Sequence, residues 1–304
     1  MSKVFLLGAR ENWICDRFVQ EWYENNKDVS TTSIEEASTV WIVAGWCWNQ
    51  IDKKILSNKK VIITIHHIVS SKFDDNKVKE FQERDEFIDL YHVPCEKTKE
   101  QISKLTRKKI LVSPFWSNQN IWFSLDDKAS LRKKYGISET CYLVGSFQRD
   151  TEGHDLISPK LEKGPDLFCD YVEKLYEERK DTRVLLAGWR RQYVMSRLQS
   201  KNIPFYYCEL PEFNVLNELY NCLDLYVVAA RCEGGPQAIA ECALTKTPIV
   251  STDVGLASKF LSQKSIFDNE WNAAPNVDYS YRAIQDFTMP KGFKVFREAI
   301  ERVQ

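Results

Sequence analysis

The chain has 304 residues and a mass of 35.5 kDa, and at roughly 100–200 residues per domain this length predicts two domains. Hydrophobic residues make up 43% of the chain and aromatic residues 12%, which is enough for packed cores and excludes a disordered or fibrous protein. The 42 basic and 43 acidic residues give a net charge of -1, so no global field draws the protein to nucleic acid or to an anionic membrane. Any anion that it binds must be held by local groups.

The cysteines indicate a reducing compartment. There are nine, and no two of them form a C-x-x-C pair, which excludes the common structural zinc sites. An odd number of cysteines spread through apolar segments is typical of buried thiols rather than of a disulfide framework. We therefore predict a cytoplasmic protein.

The apolar runs are short. The start of the chain has only Val4–Leu7 as a bulky apolar run before Arg10, too short for the core of a signal peptide. The longest apolar stretch, residues 40–48, is about half of what a membrane-spanning helix needs. The sequence thus predicts no transmembrane segment and leaves peripheral contact with a membrane open.

Along the chain, short apolar runs alternate with amphipathic helical patterns. This alternation predicts parallel sheets that are covered by helices on both faces, which is the α/β class. The predicted strands span residues 4–7, 40–44, 61–65, 90–93, 110–112, 142–144, 184–187, 205–208, 225–229 and 248–251.

A polar segment at residues 123–136 separates the fifth predicted strand from the sixth. It has a helical pattern of Leu and Tyr and ends at a glycine, so it predicts a domain boundary after residue 125. Residues 1–125 and 126–290 would then form two doubly wound, Rossmann-like domains that face a cleft. Ligands of such sheets bind beyond the carboxyl ends of the strands.

Several motifs are absent from the sequence. It contains no G-x-G-x-x-G after the first strand, no G-x-x-x-x-G-K-[ST], no G-x-S-x-G and no H-E-x-x-H. These absences argue against nicotinamide enzymes, P-loop enzymes, serine hydrolases and zincins. A D-x-D metal motif at a strand end is also missing, and we predict no metal site and no cofactor.

The most informative segment is residues 225–254. A strand ends at Ala229, a Gly-Gly turn follows, and Pro236 takes the first position of a predicted helix that runs to about residue 246. The start of such a helix binds phosphate or sugar hydroxyls through unpaired amides and the helix dipole. The amides that would point outward belong to Gly234, Gly235 and Gln237.

Two carboxylates flank this turn. Glu233 lies in the turn and Glu241 lies eight residues further on, inside the predicted helix. Carboxylates at these positions can accept hydrogen bonds from sugar hydroxyls on either side of a phosphate. The alternative is that Glu233 only stabilises the helix dipole and that Glu241 is a solvated surface charge. Spacing alone leaves both interpretations open.

Taken together, these residues resemble a known family. The pattern Glu233-Gly-Gly-Pro followed by Glu241 resembles the E-x7-E signature of retaining GT-B glycosyltransferases of the large family 4 group. Other parts of the chain are similar to further segments of that family. They are residues 61–67, 110–116, 144–149, 162–166 and 214–225.

The resemblance implies a role for each matching residue. The second domain would bind a nucleotide diphosphate sugar, UDP- or GDP-linked, with Glu241 on the ribose and Glu233 on the transferred sugar. Arg149 and Lys163 would neutralise the diphosphate, whose charge grows in the transition state, so no metal is required. His66 of the first domain would contact the donor sugar or the reacting centre. Further donor contacts would come from Gly145, Ser146, Gly234, Gly235, Pro236 and Gln237.

The sequence departs from the family pattern at three places. Ser146 stands where the family has its arginine, and residues 150–162 form an apparent insertion after Arg149. His66 is followed by His67 where the family has an aspartate. The first domain is short for the family, which implies a more open acceptor site, and the helix at about residues 290–304 would pack back onto it.

Three other groups of residues border the predicted cleft. Arg190 and Arg191 follow a strand whose carboxyl end faces the cleft, and arginine suits recognition of phosphate, which makes Arg190 a candidate donor contact. A solvated helix start is the favoured interpretation of both. Seven of the nine tryptophans lie between Trp13 and Trp122, where packing is favoured over sugar stacking. Two of these, Trp46 and Trp48, alternate after the second strand and are predicted to line the acceptor cleft together. The first strand-to-helix loop offers Arg10, Glu11 and Asn12 as acceptor contacts.

The predicted function is transfer of a sugar from a nucleotide diphosphate sugar to a saccharide or related acceptor, with retention implied only by the resemblance. One alternative is another GT-B enzyme, such as a nucleotide-sugar epimerase or phosphorylase. A second alternative is a binding protein that keeps the nucleotide-sugar pocket without catalysis. No nucleic-acid partner is predicted, and the oligomeric state is left open.

Overall fold

The computed structural model describes residues 3–11 and 14–303 and divides into two compact units. The first unit comprises Met1–Trp116 and Phe287–Gln304, and the second comprises Ser117–Asp286. The division therefore falls before residue 125. Trp116 packs against Phe18 in the first unit, whereas the amide of Phe123 donates to Asn217 of the second unit over 3.1 Å.

The helices and strands alternate along the chain. The strands are β1 Val4–Leu7, β2 Thr39–Ile42, β3 Lys60–Thr64, β4 Leu90–Val93, β5 Lys109–Val112, β6 Tyr142–Ser146, β7 Thr182–Ala187, β8 Phe205–Cys208, β9 Leu225–Val228 and β10 Ile249–Ser251. The helices are α1 Ile14–Asn25, α2 Lys53–Leu56, α3 Asp75–Asp85, α4 Glu96–Ile102, α5 Lys128–Lys134, α6 Pro165–Glu178, α7 Gln192–Ser200, α8 Phe213–Cys222, α9 Gln237–Thr245, α10 Ala257–Phe260, α11 Val277–Ile284 and α12 Lys294–Val303.

Both units contain a five-stranded parallel sheet, as predicted, but the two sheets are wound differently. In the first unit the strands follow chain order from β1 to β5. In the second unit the order is β10-β9-β6-β7-β8, so the chain moves outward from β6 to β8 and then returns to the other side of β6. The reversal that defines a doubly wound sheet is thus found in the second unit.

The core of the first unit is built from aromatic rings. Trp22 and Trp41 meet edge to face with their ring centroids 5.5 Å apart. The terminal segment contributes Phe293, whose ring centre is 4.6 Å from that of Trp116, and Phe296, 5.0 Å from Trp41. Such pairs add to the burial of large apolar surfaces. Helix α12 therefore packs within the first unit although it is last in the chain.

Trp46 and Trp48 do not share one surface, so the prediction that both line a cleft is wrong. Trp46 is 53% exposed and Trp48 only 3%. The prediction assumed the two-residue alternation of a strand, but β2 ends at Ile42 and Gly45–Gln50 form a 3₁₀ helix. With three residues per turn, positions two apart point in different directions. Trp48 therefore points inward, against Phe87.

A chain of hydrogen bonds crosses the first sheet in its interior. The indole of Trp41 donates to Thr64 Oγ1 over 3.0 Å, and this hydroxyl lies 3.0 Å from Nδ1 of His92. The other ring nitrogen, Nε2, lies 2.9 Å from the carbonyl oxygen of Ser113. Since a carbonyl only accepts, Nε2 carries the proton and Nδ1 accepts from Thr64. Burial lowers the pKa of His92 to about 3, so the ring is neutral.

All nine cysteines are free thiols, and seven of them are buried. Burial raises the pKa of Cys15 and of Cys169 to about 12, which keeps both protonated and unreactive. The prediction of buried thiols is confirmed for these seven, while Cys208 and Cys232 are partly exposed. Within residues 3–11 and 14–303, no helix combines the length and the apolar character needed to cross a bilayer.

Candidate active site

The candidate site lies at the point where the second sheet reverses. Strands β6 and β9 are neighbours there, and the chain leaves them in opposite directions across the sheet. Ligands of open α/β sheets bind beyond the carboxyl ends of the strands at such a reversal. The loops that follow β6 and β9 carry most of the donor-site residues predicted from the sequence.

Gly164 brings a third segment to this edge. Its φ angle is +63° at the start of α6, and a Cβ atom there would lie 1.9 Å from the carbonyl oxygen of Ala229. Only glycine tolerates both the left-handed backbone and this close approach. The carbonyl of Glu162 also accepts from the amides of Arg231 and Cys232, over 2.9 and 3.0 Å. The segment before α6 is therefore fastened to the loop after β9.

This fastening places Lys163 against Glu233. The two side chains form an ion pair, and they are 19% and 10% exposed. The side-chain amide of Gln148, which follows β6, donates to the carbonyl of Lys163 over 2.8 Å. The loops after β6 and β9 and the turn before α6 thus meet around one lysine and one carboxylate.

Helix α9 begins one residue later than predicted. Pro236 is its N-cap, with φ -58° and ψ 110°, and Gln237 is the first helical residue. Gly255 packs beneath the turn, where a Cβ atom would lie 2.7 Å from the carbonyl oxygen of Gly234. The amides of Gly234, Gly235 and Gln237 have no acceptor within the described part of the chain. Amides at the start of a helix favour negatively charged or hydroxyl-bearing ligands.

Glu241 is buried, so its interpretation as a solvated surface charge is wrong. It is 7% exposed, and the hydroxyl of Tyr220 in α8 donates to its Oε2 atom over 2.8 Å. The ring of Tyr220 packs against Phe147, which follows β6, with ring centroids 4.7 Å apart. Glu241 is thereby connected, through Tyr220, to the carboxyl end of β6. Sequence reasoning missed Tyr220, because an aromatic residue on the buried face of a helix predicts only packing.

Arg191 is also buried rather than solvated at a helix start. Its side chain is fully inaccessible and forms an ion pair with Asp150, with Nε 3.0 Å from Oδ2. Its guanidinium also donates to the carbonyl oxygens of Ser146 and Ala187 and, over 3.2 Å, to the hydroxyl of Ser146. Arg191 therefore ties β6 to β7. The hydroxyl of Ser146, a predicted donor contact, lies against this arginine.

Gly145 packs against the turn before β9. A Cβ atom at Gly145 would lie 2.3 Å from Leu223. The glycine therefore allows this turn to approach β6 closely. On that side Gly145 contacts Leu223 and is covered by protein.

Positive charge gathers beside the site. The pKa of Lys160 is lowered, mainly by burial and secondly by the positive charge of Arg149. These two cations therefore lie near each other. Lys160 pairs with Glu162 over 3.3 Å, whereas Arg149 has no hydrogen bond or ion pair to any described residue. Arg190 adopts φ +60° and lays its guanidinium over the ring of Trp189, 4.1 Å from the ring centre. Like charges held together at a loop favour an anionic ligand.

The predicted residues of the first unit lie at the ends of its strands. His66 follows β3, its Nε2 atom lies 3.0 Å from the carbonyl oxygen of Val43, and its ring centre lies 5.7 Å from that of the exposed Trp46. The amides of Arg10 and Glu11 donate to the side chain of Asp16. Two predicted positions in this loop, Asn12 and Trp13, lie outside the described residues.

Among the described residues, no cluster of three or more His, Cys, Asp or Glu side chains could hold a metal ion. The groups at the site are instead lysine, arginine, backbone amides and two carboxylates. These are donors for phosphate and acceptors for sugar hydroxyls.

Comparison with known proteins points to the same part of the chain. Residues 156–280 match the sequence model of the family described as "Glycosyl transferases group 1". The match begins before α6 and ends within α11, and it includes Lys163, Glu233 and Glu241. It covers less than half of the chain.

One curated protein and two solved structures illustrate the similarity. The chain is similar to the lipopolysaccharide core biosynthesis mannosyltransferase LpsB of Rhizobium meliloti (strain 1021), with 27% identity over 143 residues. The match spans 45% of this chain and 38% of LpsB. The chain resembles Anabaena HepE in complex with UDP and glucose, with a TM-score of 0.70, 11% identity and coverage of 100% of this chain and 94% of HepE. It also resembles sucrose-phosphate synthase from Thermosynechococcus elongatus, with a TM-score of 0.62, 14% identity and coverage of 89% and 72%.

The fold is therefore GT-B, with two parallel-sheet α/β domains, and this prediction is confirmed. At these low identities the structural likeness defines the fold alone. What the site does must be argued from its own residues.

Proposed function

We propose that the protein is a glycosyltransferase that moves a sugar from a UDP- or GDP-sugar to a saccharide or related acceptor. The observation that carries this proposal is the meeting of Lys163, Glu233 and the start of α9 at the reversal of the second sheet. This place combines a cation, a carboxylate and outward-pointing amides within the segment that matches the glycosyl transferase family. The sequence similarity to a mannosyltransferase supports the same chemistry.

The ion pair between Lys163 and Glu233 can be exchanged for contacts with the substrate. When a diphosphate binds, Lys163 turns from the carboxylate to a phosphate oxygen, a stronger anionic partner. Glu233 is then released to accept hydrogen bonds from the hydroxyls of the transferred sugar. Binding of the phosphate and positioning of the sugar are thereby coupled through one contact.

The leaving group of the reaction is a nucleoside diphosphate whose charge grows as the sugar departs. We assign its stabilisation to Lys163, Arg149 and the amides at the start of α9, because groups already oriented toward the developing charge lower the barrier most. These cations make a metal ion unnecessary in the proposed mechanism. Glu241 accepts from the ribose hydroxyls and so places the diphosphate against Lys163.

The first unit is proposed to hold the acceptor. Trp46 offers an exposed ring, and an aromatic face with polar edges suits the apolar face of a sugar. His66, whose ring lies beside Trp46, would contact a hydroxyl of the reacting sugars. We also propose that the anomeric configuration is retained, and this part of the proposal rests on the E-x7-E resemblance alone.

The test begins with binding. UDP, GDP, ADP and their common sugars are titrated calorimetrically into the wild-type protein and into Glu241→Ala without added metal. We expect one nucleotide class to bind and the variant to bind it at least about ten-fold more weakly, since it loses hydrogen bonds to a carboxylate. No binding by any of these nucleotides would refute the proposed donor site.

Turnover is then measured as release of the nucleoside diphosphate from the donor that binds. Lys163→Met should lower kcat by about a hundred-fold or more, as loss of one group that stabilises transition-state charge does. Lys201→Met is the matched control, because Lys201 also pairs with a glutamate, Glu173, over 3.5 Å but at the end of α7. Equal rates in the two variants would contradict the role of Lys163. Nucleotide binding with no turnover toward any saccharide or water would identify a binding protein instead.

A further inference from the structure

Glu241 lies in a buried network of polar contacts. The hydroxyl of Tyr220 donates to Glu241 Oε2 over 2.8 Å, and the carbonyl oxygen of Tyr220 accepts from Thr247 Oγ1 over 3.0 Å. Thr247 Oγ1 lies 2.7 Å from Thr245 Oγ1, which donates to the carbonyl oxygen of Glu241 over 2.9 Å. Each threonine hydroxyl has one proton, so at most two of these three threonine contacts are hydrogen bonds at one time. The direct link between Tyr220 and Glu241 is the bond from the tyrosine hydroxyl to the carboxylate.

All four residues are buried. Tyr220 is 2% exposed, Thr245 3%, Thr247 4% and Glu241 7%. Hydrogen bonds in such an interior are strong and geometrically restrictive, because water does not compete for the donors and acceptors. A carboxylate with no such partner would rotate about its side-chain bonds, and the tyrosine limits this freedom.

Tyr220 has a fixed place and a fixed protonation state. Its ring packs against Phe147, Trp122 and Tyr226 at centroid distances of 4.7, 5.8 and 5.4 Å. Burial first, and then the negative charge of Glu241, raise the pKa of Tyr220 well above its ordinary value. The hydroxyl is therefore a permanent donor to Glu241.

We propose that Tyr220 is a positioning residue that orients Glu241 and thereby sets the preference of the site for ribose over deoxyribose. A carboxylate offers about four lone-pair positions. The bond from Tyr220 to Oε2 restricts rotation of the group and thereby the directions in which the carboxylate can accept from two neighbouring hydroxyls of a ribose. The inference rests on the proposed function, because it takes the ribose of the donor nucleotide as the ligand of Glu241.

The experiment compares nucleotides that differ only in the sugar. UDP, GDP and their 2′-deoxy and 3′-deoxy forms are titrated into the wild type, Tyr220→Phe and Tyr226→Phe. Tyr226→Phe is the matched control, since Tyr226 is a buried tyrosine of the same ring cluster whose hydroxyl accepts from the amide of Phe147 over 2.9 Å. Each variant loses one buried hydroxyl, but only one of these hydroxyls touches Glu241.

We expect the wild type to bind the ribonucleotide about ten-fold more tightly than its deoxy forms, as loss of a hydrogen bond to a charged group predicts. In Tyr220→Phe this ratio should fall toward one, mainly through weaker binding of the ribonucleotide, and in Tyr226→Phe it should persist. A purely structural role for Tyr220 would weaken all the nucleotides equally and leave the ratio unchanged.

An unchanged ratio in Tyr220→Phe would overturn the inference while the donor site stands. Absence of UDP and GDP binding to the wild type would overturn the proposed function and this inference with it. If Tyr220→Phe does not fold, Thr247→Val provides a second test, because it removes the hydroxyl that donates to the carbonyl oxygen of Tyr220. The ratio should then fall part of the way, and an unchanged ratio would again overturn the inference.

Discussion

Lowering the pH from about 7 to about 5 should destabilise the first unit through a single histidine. His92 is fully buried, donates from Nε2 to the carbonyl oxygen of Ser113 and accepts at Nδ1 from Thr64. Protonation would add a second donor at Nδ1, facing a hydroxyl that already donates to it. It would also place a positive charge among Trp41, Phe115 and Phe296, where the lost hydration outweighs the hydrogen bond to Ser113.

The magnitude follows from the difference between the two protonation equilibria. The pKa of His92 falls from 6.5 to about 3 in the folded protein because of its burial. The folded state thus stays neutral at His92 while the unfolded chain takes up a proton below its own pKa. Stability from the neutral ring is fully present above pH 6.5 and is lost as the pH falls toward 3. At about pH 5 the loss from this one residue is about 2 kcal/mol.

The assay is urea unfolding followed by tryptophan fluorescence at both pH values. Trp22 and Trp41 lie in the core of the first unit, so their emission reports its unfolding. His92→Gln is the reference, because a glutamine can still donate to Ser113 and accept from Thr64 but does not titrate. The wild type should lose about 2 kcal/mol more than this variant between the two pH values. Equal losses would refute the reasoning, since carboxylates titrate alike in both proteins.

Two further predictions concern the second and the first unit in turn. Gly164→Ala should lower the free energy of unfolding of the second unit by about 2–4 kcal/mol, because alanine at φ +63° would press against the carbonyl of Ala229. Gly136→Ala is the control, because φ is +65° there as well but a Cβ atom meets nothing within 4 Å. An equal loss of unfolding free energy in the two variants, measured by urea titration, would contradict this prediction. Trp46→Ala should weaken saccharide binding by about ten-fold, by loss of one aromatic contact, with an unchanged melting temperature because Trp46 is 53% exposed. If Trp46→Ala bound saccharides with wild-type affinity, this ring would be excluded from the acceptor site.

The strands of this fold are predictable from the sequence because each is a local property. A short, continuous run of β-branched and aliphatic residues is buried on both faces of a parallel sheet wherever it occurs in the chain. All ten predicted strands are present in the described residues, with ends that differ by at most two residues. The order of the strands is not local. Nothing in the runs at Val4–Leu7 or Thr39–Ile42 indicates that the first sheet follows chain order and the second does not.

The residues of the candidate site likewise fall into those that the sequence predicts and those that it does not. Lys163 and Glu233 were predicted from motifs and lie together, because each motif is tied to a strand end and parallel strands end at one edge of the sheet. Arg191 was misjudged because its partner, Asp150, lies in the apparent insertion. Tyr220 was missed because its function depends on a hydroxyl that meets Glu241 only after α8 packs beside α9. Sequence patterns mark the ends of strands, whereas such contacts between neighbouring elements depend on packing.

The two sheets also differ in whether the loop that could hold an anion already contains one. In the first unit the carboxylate of Asp16 accepts from the amides of Arg10 and Glu11 over 2.9 and 2.8 Å. It lies so close that a Cβ atom at Gly8 would be 2.4 Å from it. An internal carboxylate thus occupies the place where a phosphate would receive these amides. In the second unit the turn before α9 leaves its amides without an acceptor among the described residues. Of these two loops, only the turn before α9 therefore has amides that a phosphate could receive, which is why the proposed donor site is assigned to the second unit.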